Sequence, residues 1–261
     1  METAKTPSVV SLQDVTQVYV SGQGAFLAVE GICFQLAPGE FISLVGPSGC
    51  GKTTILSIIA GLIRPTRGKV EVAGQPVTAP SDKVGYMLQQ DFLFPWRTIL
   101  QNAVLGLEVS GKLNEESRNY ARSLLKEMGL AHTENKYPSA LSGGMRQRVA
   151  LVRTLAVKPE ILLLDEPFSA LDYQTKLQLE DLMSETLKRY RKSAILVTHD
   201  IAEAIAMSDR ILVLGRNPGR IRKELVIPGH IRDLNPFAAR EAEGFHGLLQ
   251  EVWQEFRDME V

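Results

Sequence analysis

The chain has 261 residues, 44% hydrophobic and 23% charged, with a formal net charge of −1. This length supports one large domain or two modest ones with a sizeable core, and without a basic excess no nucleic-acid partner is expected. Cys33 and Cys50 are too few for a disulfide framework, and no apolar run reaches the roughly 18–20 residues of a bilayer span.

The amino terminus, METAKTPSVV, has neither the charged start nor the apolar stretch of a secretory leader. The expectation is a soluble, cytoplasmic chain. Residues 9–20 and 31–46 read as strands, the second ending in FISLV, apolar enough to be buried on both faces. Residues 51–62 read as a helix stopped by Arg64-Pro65. GKVEVAG and KVGYMLQQ are further short strands.

From about residue 91 to 158 the pattern is almost entirely helical, with apolar stripes at helical spacing in residues 115–130 and 143–157. EILLLDEP and SAILVTHD then return as buried strands around a charge-rich helix over residues 176–191. Strands alternating with helices predict a parallel α/β sheet interrupted by a helical insert. Residues 216–230 read as turn-rich and basic. Beyond them Phe245, Leu248, Leu249, Val252, Trp253 and Phe256 form one stripe of an amphipathic helix, either packed back on the domain or facing another subunit.

The chemistry starts in GPSGCGKTT, residues 46–54. Gly46, Gly49 and Gly51 let backbone N–H groups turn inward on a phosphate, and Pro47, Ser48 and Cys50 fill the loop between them. The following helix points its positive end at the same place. Lys52 supplies a charge for the β- and γ-phosphates, Thr53 a hydroxyl for Mg²⁺, and Thr54 completes the turn. Cys50 reads either as a small filler or as an oxidation-sensitive thiol.

In ILLLDEP, Asp165 and Glu166 stand at the carboxyl end of a buried strand, the ligand-binding edge of a parallel sheet. Asp165 suits Mg²⁺ and Glu166 suits a general base that polarises water.

LSGGMRQRVALVRTL, residues 141–155, resembles the signature segment of ATP-binding-cassette ATPases. The resemblance covers nearly the whole chain in the family's order. It implies that Tyr19 stacks on adenine, that residues 46–54 are the Walker A loop and that Gln89 is the Q-loop glutamine at the metal. Asp165 and Glu166 match Walker B, SALD with Asp172 matches the D-loop, and His199 matches the switch histidine. Ser142, Gly143 and Gly144 precede a helix, so the Ser142 hydroxyl and their backbone N–H groups read as a second anion site. With Met145 they match the signature, which would contact ATP held by a second copy in a head-to-tail dimer. Methionine replaces the commoner glutamine at Met145.

By this resemblance the fold is a P-loop NTPase α/β core with a parallel sheet, an N-terminal antiparallel β subdomain and an inserted helical signature subdomain. Residues 9–228 would form the ATPase domain, with its core over 9–88 and 158–218 and its helical part over 89–157. Residues 229–261 would be a helical tail. ATP and Mg²⁺ are the expected cofactors.

DFLFPWRT, residues 91–98, is rich in aromatics and needs an apolar surface, either the helical subdomain or a coupling helix of a transmembrane permease subunit. Together with RNPGRI it resembles the importer group for nitrate, sulfonate and taurine. That implies an energy-coupling subunit at the cytoplasmic face of the membrane, peripheral to its permease and served indirectly by a substrate-binding protein. A soluble cassette ATPase without a membrane partner is the alternative. A P-loop kinase would leave LSGGM, SALD and His199 without a task.

Overall fold

The computed structural model describes residues 8–22 and 24–259. Most of the amino-terminal stretch METAKTPSVV, and with it the leader reading, therefore lies outside the described residues. Strands β1 (Val10–Ser21) and β2 (Gly24–Leu36) form an antiparallel hairpin. A turn leads into β3 (Phe41–Val45), then come α1 (Lys52–Ile59), β4 (Arg67–Val72), β5 (Gln75–Pro76) and β6 (Val84–Met87). The helical insert holds α2 (Ile99–Ala103), α3 (Leu105–Val109), α4 (Glu115–Glu127) and α5 (Gly143–Ala156). The chain returns through β7 (Ile161–Asp165), α6 (Tyr173–Arg189), β8 (Ser193–Val197), α7 (Ile201–Met207), β9 (Arg210–Leu214) and β10 (Ile221–Val226). It closes with α8 (Gly229–Arg232), α9 (Pro236–Ala239) and α10 (Phe245–Arg257).

Two sheets result. One is antiparallel, in the order β2-β1-β4-β5; the other has six strands in the order β10-β9-β3-β8-β7-β6. Within the second, β9, β3, β8, β7 and β6 run parallel, and β10 joins antiparallel at the edge.

The period of two along each central strand divides the core. In β7, Leu162 and Leu164 enter the core of the helical insert, while Ile161 and Leu163 enter the core shared with α1 and the antiparallel sheet. In β9, Leu212 and Leu214 join that second core, and Ile211 and Val213 pack toward α7 and the C-terminal helices. Each such side chain contributes about 1.5–3 kcal/mol when fully buried, so both faces of these strands must be apolar.

The expected strand over residues 31–46 is two strands in two different sheets. Pro38 offers no N–H to a ladder, and Gly39 at φ 76° turns the chain between β2 and β3. The basic stretch after residue 216 contains a real strand, β10. Its charged residues hide the alternation, as suits an edge position. The charge-rich helix starts earlier than expected, because the Asp172 carboxylate accepts from Thr175 N at 3.0 Å and caps α6. In α10, Phe245 and Val252 are buried against the cluster around α7, Leu248, Leu249 and Phe256 pack beside them, and Trp253 stays half exposed. The stripe packs back on the domain.

Candidate functional site

The loop between β3 and α1 lies at the carboxyl edge of the parallel sheet, beside the ends of β7 and β8. Gly51 caps α1 at φ 93°, and a Cβ there would come within 2.2 Å of Val29 Cγ1, so only glycine fits. Lys52 is 92% buried by its 8% exposure, and its ammonium donates to Gly46 O at 2.7 Å and Pro47 O at 3.1 Å. The lysine thus lies along the loop whose backbone it would share with a phosphate. Cys50 is fully buried against Gly46, and burial pushes its thiol up against the opposing pull of Lys52 Nζ 3.7 Å away; burial and packing suit the filler reading.

A cleft of about 490 Å³ opens above the loop. Ser48, Gly49, Gly51, Lys52, Thr53 and Thr54 line its floor, with Glu166 and His199 also in its wall. Tyr19 and Phe26 form the far wall and face each other across the β1–β2 hairpin. Tyr19 OH lies 3.4 Å from Thr54 Oγ1, which ties the hairpin to the first turn of α1. Phe26 was not foreseen, because residues 24–30 were not read as a strand. The signal was available: a hairpin register that pairs Tyr19 places one residue directly opposite.

Asp165 and Glu166 take different environments. Asp165 Oδ1 accepts from Thr53 Oγ1 at 3.5 Å and Oδ2 accepts from Tyr86 OH at 3.2 Å. Burial raises the Asp165 carboxyl above its ordinary range, and burial beside Asp165 pushes the Tyr86 phenol up as well. Tyr86 was missed; it reaches the aspartate from β6, the strand paired beside β7, and no local sequence pattern marks that contact. Glu166 adopts φ 47°, donates its N–H to Val197 O at 2.9 Å and turns its carboxylate toward His199. His199 Nδ1 lies 3.3 Å from Glu166 Oε2, which also accepts from Gln89 Nε2 at 3.2 Å.

Gln89 therefore touches the glutamate, and through Ser169 Oγ at 3.2 Å the next loop, rather than the Thr53–Asp165 pair. Its amide nitrogen is committed there, leaving Oε1 for any metal contact. Gln147 Nε2 donates to Gln89 O at 3.1 Å and connects the same residue to α5.

Thr53 and Asp165 offer a hydroxyl and a carboxylate, hard oxygen ligands suited to Mg²⁺. Among the described residues no group of three or more His, Cys, Asp or Glu could hold a metal.

The segment expected to form a second anion site stands apart from the cleft. Ser142 caps α5, its Oγ accepting from Met145 N at 3.4 Å, and none of Ser142, Gly143, Gly144 and Met145 lines the cleft. Gly144 packs on α6 so closely that a Cβ would fall 2.4 Å from Thr175 Cγ2. Met145 is half buried against the core of the helical insert, so its side chain is turned to packing.

A family model described as ABC transporter matches residues 29–169. The chain belongs to the ABC transporter family. It is an ABC-type ATPase, and its fold is that of the family's ATP-binding cassettes. Among ABC relatives, it is 52% identical over 253 residues to the uncharacterized ABC transporter ATP-binding protein YtlC of Bacillus subtilis (strain 168), covering 97% of each chain. It is 41% identical over 218 residues to the nitrate import ATP-binding protein NrtD of Synechocystis sp., covering 84% of this chain and 82% of that one. Among solved structures, the ABC cassette MJ0796 in a dimeric post-hydrolysis state bound to ADP and Pi matches with a TM-score of 0.73 and 34% identity. That match covers 84% of this chain and 99% of the other.

Proposed function

We propose that this chain is the ATP-hydrolysing, energy-coupling subunit of an importer for a small anion, working as a pair of copies. The observation that carries this reading is the separation of the two anion sites. The cleft holds Lys52, Glu166 and His199, while the Ser142 end of α5 opens elsewhere, so a second copy is needed to bring the two together. The solved cassette with this fold is dimeric.

In the proposed cycle Tyr19 and Phe26 receive the base, and Gly46, Gly49, Gly51 and Lys52 cradle the phosphates. Thr53, Asp165 and Gln89 Oε1 would hold Mg²⁺, which supplies charge neutralisation on the phosphate oxygens. Glu166 takes a proton from the attacking water and His199 orients that water. Ser142 and the N–H groups of Gly143 and Gly144, from the opposite copy, meet the γ-phosphate beside that copy's Asp172. Loss of that phosphate removes the contact and opens the pair.

The surface for a membrane partner is the segment over residues 91–98. Asn102 is fully buried and anchors it, accepting from Phe94 N at 2.8 Å and donating to the carbonyls of Phe94, Arg97 and Thr98. The Asp91 carboxylate pairs with Arg146 at 2.9 Å, and Leu93 is buried. Trp96 stacks on Phe94 at 5.0 Å and remains 70% exposed. A groove of about 480 Å³ runs beside Trp96, between Arg97, Leu100, Val104 and Leu113. An exposed tryptophan stacked on a half-buried phenylalanine, on a rigid loop next to a groove, suits a short helix from a permease. Among the described residues no helix is long and apolar enough to cross a membrane. Held on a permease through this loop, the chain would sit peripherally at the cytoplasmic face. A substrate-binding protein would act on it only through the permease. The relative named for nitrate import supports a small oxyanion as cargo, with a sulfonate such as taurine in the same chemical class.

Light scattering on the Glu166→Gln protein tests the reading. A dimer formed only with Mg-ATP supports it. A monomer with Mg-ATP, persisting when the permease subunits are added, overturns it.

A further inference from the structure

A chain of ion pairs, buried at its centre and partly exposed at Asp200, runs from the C-terminal segment to the loop that carries His199. Arg240, following α9, donates to Glu180 Oε2 at 2.6 Å. Glu180 Oε1 faces Lys176 Nζ at 3.9 Å, one turn earlier on α6. Lys176 Nζ in turn meets Asp200 Oδ2 at 2.7 Å and Glu203 Oε2 at 2.6 Å. Asp200 directly follows His199 and caps α7, accepting from Glu203 N at 3.1 Å. Glu180 has no exposed surface and Glu203 only 2%.

The cluster is poorly made for stability. Buried ion pairs often stabilise no better than apolar residues of similar volume. Here Glu180 Oε1 and Glu203 Oε1 are also buried without a hydrogen-bond donor. What the cluster does fix is position. One ammonium holds the residue after His199 against α6, and α6 opens at Asp172, whose carbonyl accepts from Lys176 N at 2.9 Å. Lys176 and Glu203 also line a small cavity of about 210 Å³ whose other walls include Glu166, Ser169 and His199. The cluster and the proposed hydrolytic pair therefore share a wall.

We propose that Lys176 is the positioning residue for the His199 loop, and that Arg240 keeps it on Asp200 by occupying Glu180. The proposal rests on the reading of Glu166 and His199 as the hydrolytic pair. With Arg240 removed, Lys176 is the cation left beside Glu180 among the described residues, and it has three carboxylates to serve. The C-terminal segment thus reaches the ATPase site through two side chains and without touching nucleotide.

Steady-state ATPase of the purified full chain tests this, with amide hydrogen exchange as a readout independent of turnover. Lys176→Met should lower kcat about tenfold with KM for ATP changed less than about twofold, because the phosphate loop is untouched. Lys176→Arg should restore most of the rate, and Arg240→Gln should lose less than Lys176→Met. Exchange of the Thr198 to Ala202 amides should quicken while α1 stays protected. Removing Lys176 leaves Glu203 buried without its partner and could prevent folding, so the double variant Lys176→Met with Glu203→Gln is the deciding protein. It relieves the lone charge but leaves Asp200 unheld. A purely structural role predicts that its rate returns with its stability, and that result overturns the proposal; a persistent kcat loss in a folded protein supports it. Glu166→Gln and His199→Ala are measured alongside. If both stay fully active, the hydrolytic assignment has failed; if both are inactive while the double variant turns over normally, the positioning proposal alone has failed.

Discussion

His199 Nδ1 stands 3.3 Å from Glu166 Oε2, so an imidazole following β8 and a carboxylate following β7 meet in the wall of one cleft. Strand pairing makes the encounter. Asp165 is in register with Val197, and each partner of the pair follows its strand within two residues. His199→Ala should therefore lower phosphate release about a hundredfold, the lower end of what one acid–base or water-orienting group supplies. ATP affinity, measured by calorimetry with a non-hydrolysable analogue, should hold.

Lys52 already donates to the carbonyls of Gly46 and Pro47, so its ammonium is preorganised within the loop it would share with phosphate. Lys52→Ala should weaken binding of the same analogue at least about tenfold, as expected for loss of a charge-assisted contact. Unchanged affinity would remove the cradle assignment.

Asn102 reaches four backbone groups of the 91–98 loop from a fully buried position, its amide shared among three carbonyls. Asn102→Leu takes the side-chain bond from Phe94 N and Arg97 O, while Phe94 O and Thr98 O keep the backbone N–H groups of Arg97 and of position 102, and should cost about 2–4 kcal/mol in urea unfolding. Trp96→Ala should leave stability within about 0.5 kcal/mol, since most of its surface is already exposed, yet lower transport in vesicles carrying the permease. Equal transport by both proteins would assign Trp96 no part in coupling.

The contact between Gly144 and Thr175 fixes how α5 lies on α6. Gly144→Ala places a methyl 2.4 Å from Thr175 Cγ2 and should destabilise by about 1–3 kcal/mol. Adding Thr175→Ser removes the opposing methyl and should recover most of that loss in the same thermal melt.

Burial raises the Glu180 carboxyl to about 7, despite Arg240 and Lys176, while Glu203 beside it adds to the rise. The unfolded chain releases this proton at a lower pH, near 4.5, so between the two values the folded state binds more protons than the unfolded one. This group's contribution to stability is therefore full at the acid end and falls as pH rises through about 7. Glu180→Gln should flatten that part of the profile in urea titrations run from pH 5 to pH 8. A wild-type decline of undiminished slope in the variant would assign the titration to another group.

The phosphate loop, the Asp165-Glu166 pair and the Ser142 cap were legible in the sequence because each is a local device. Spacing along a few residues sets backbone geometry, and an apolar run before the loop places it at a strand end. The helical insert was legible for the same reason, through its period. Elements whose signal is interrupted or disguised were not. β10 hides its alternation under charge, and the Pro38-Gly39 turn divides one apolar-looking stretch between two sheets.

What only the tertiary structure decided are the partners that come from far along the chain. Phe26 faces Tyr19 through a hairpin register, Tyr86 reaches Asp165 because β6 lies beside β7, and Arg240 reaches Glu180 because the C-terminal helices fold back on α6 and α7. Sequence by itself determined which chemistry this protein carries, since phosphate cradles and helix caps need particular residues at fixed spacing. Strand order and helix packing determined which of those residues touch, because contacts between distant segments depend on burial shared across the whole core rather than on any short pattern.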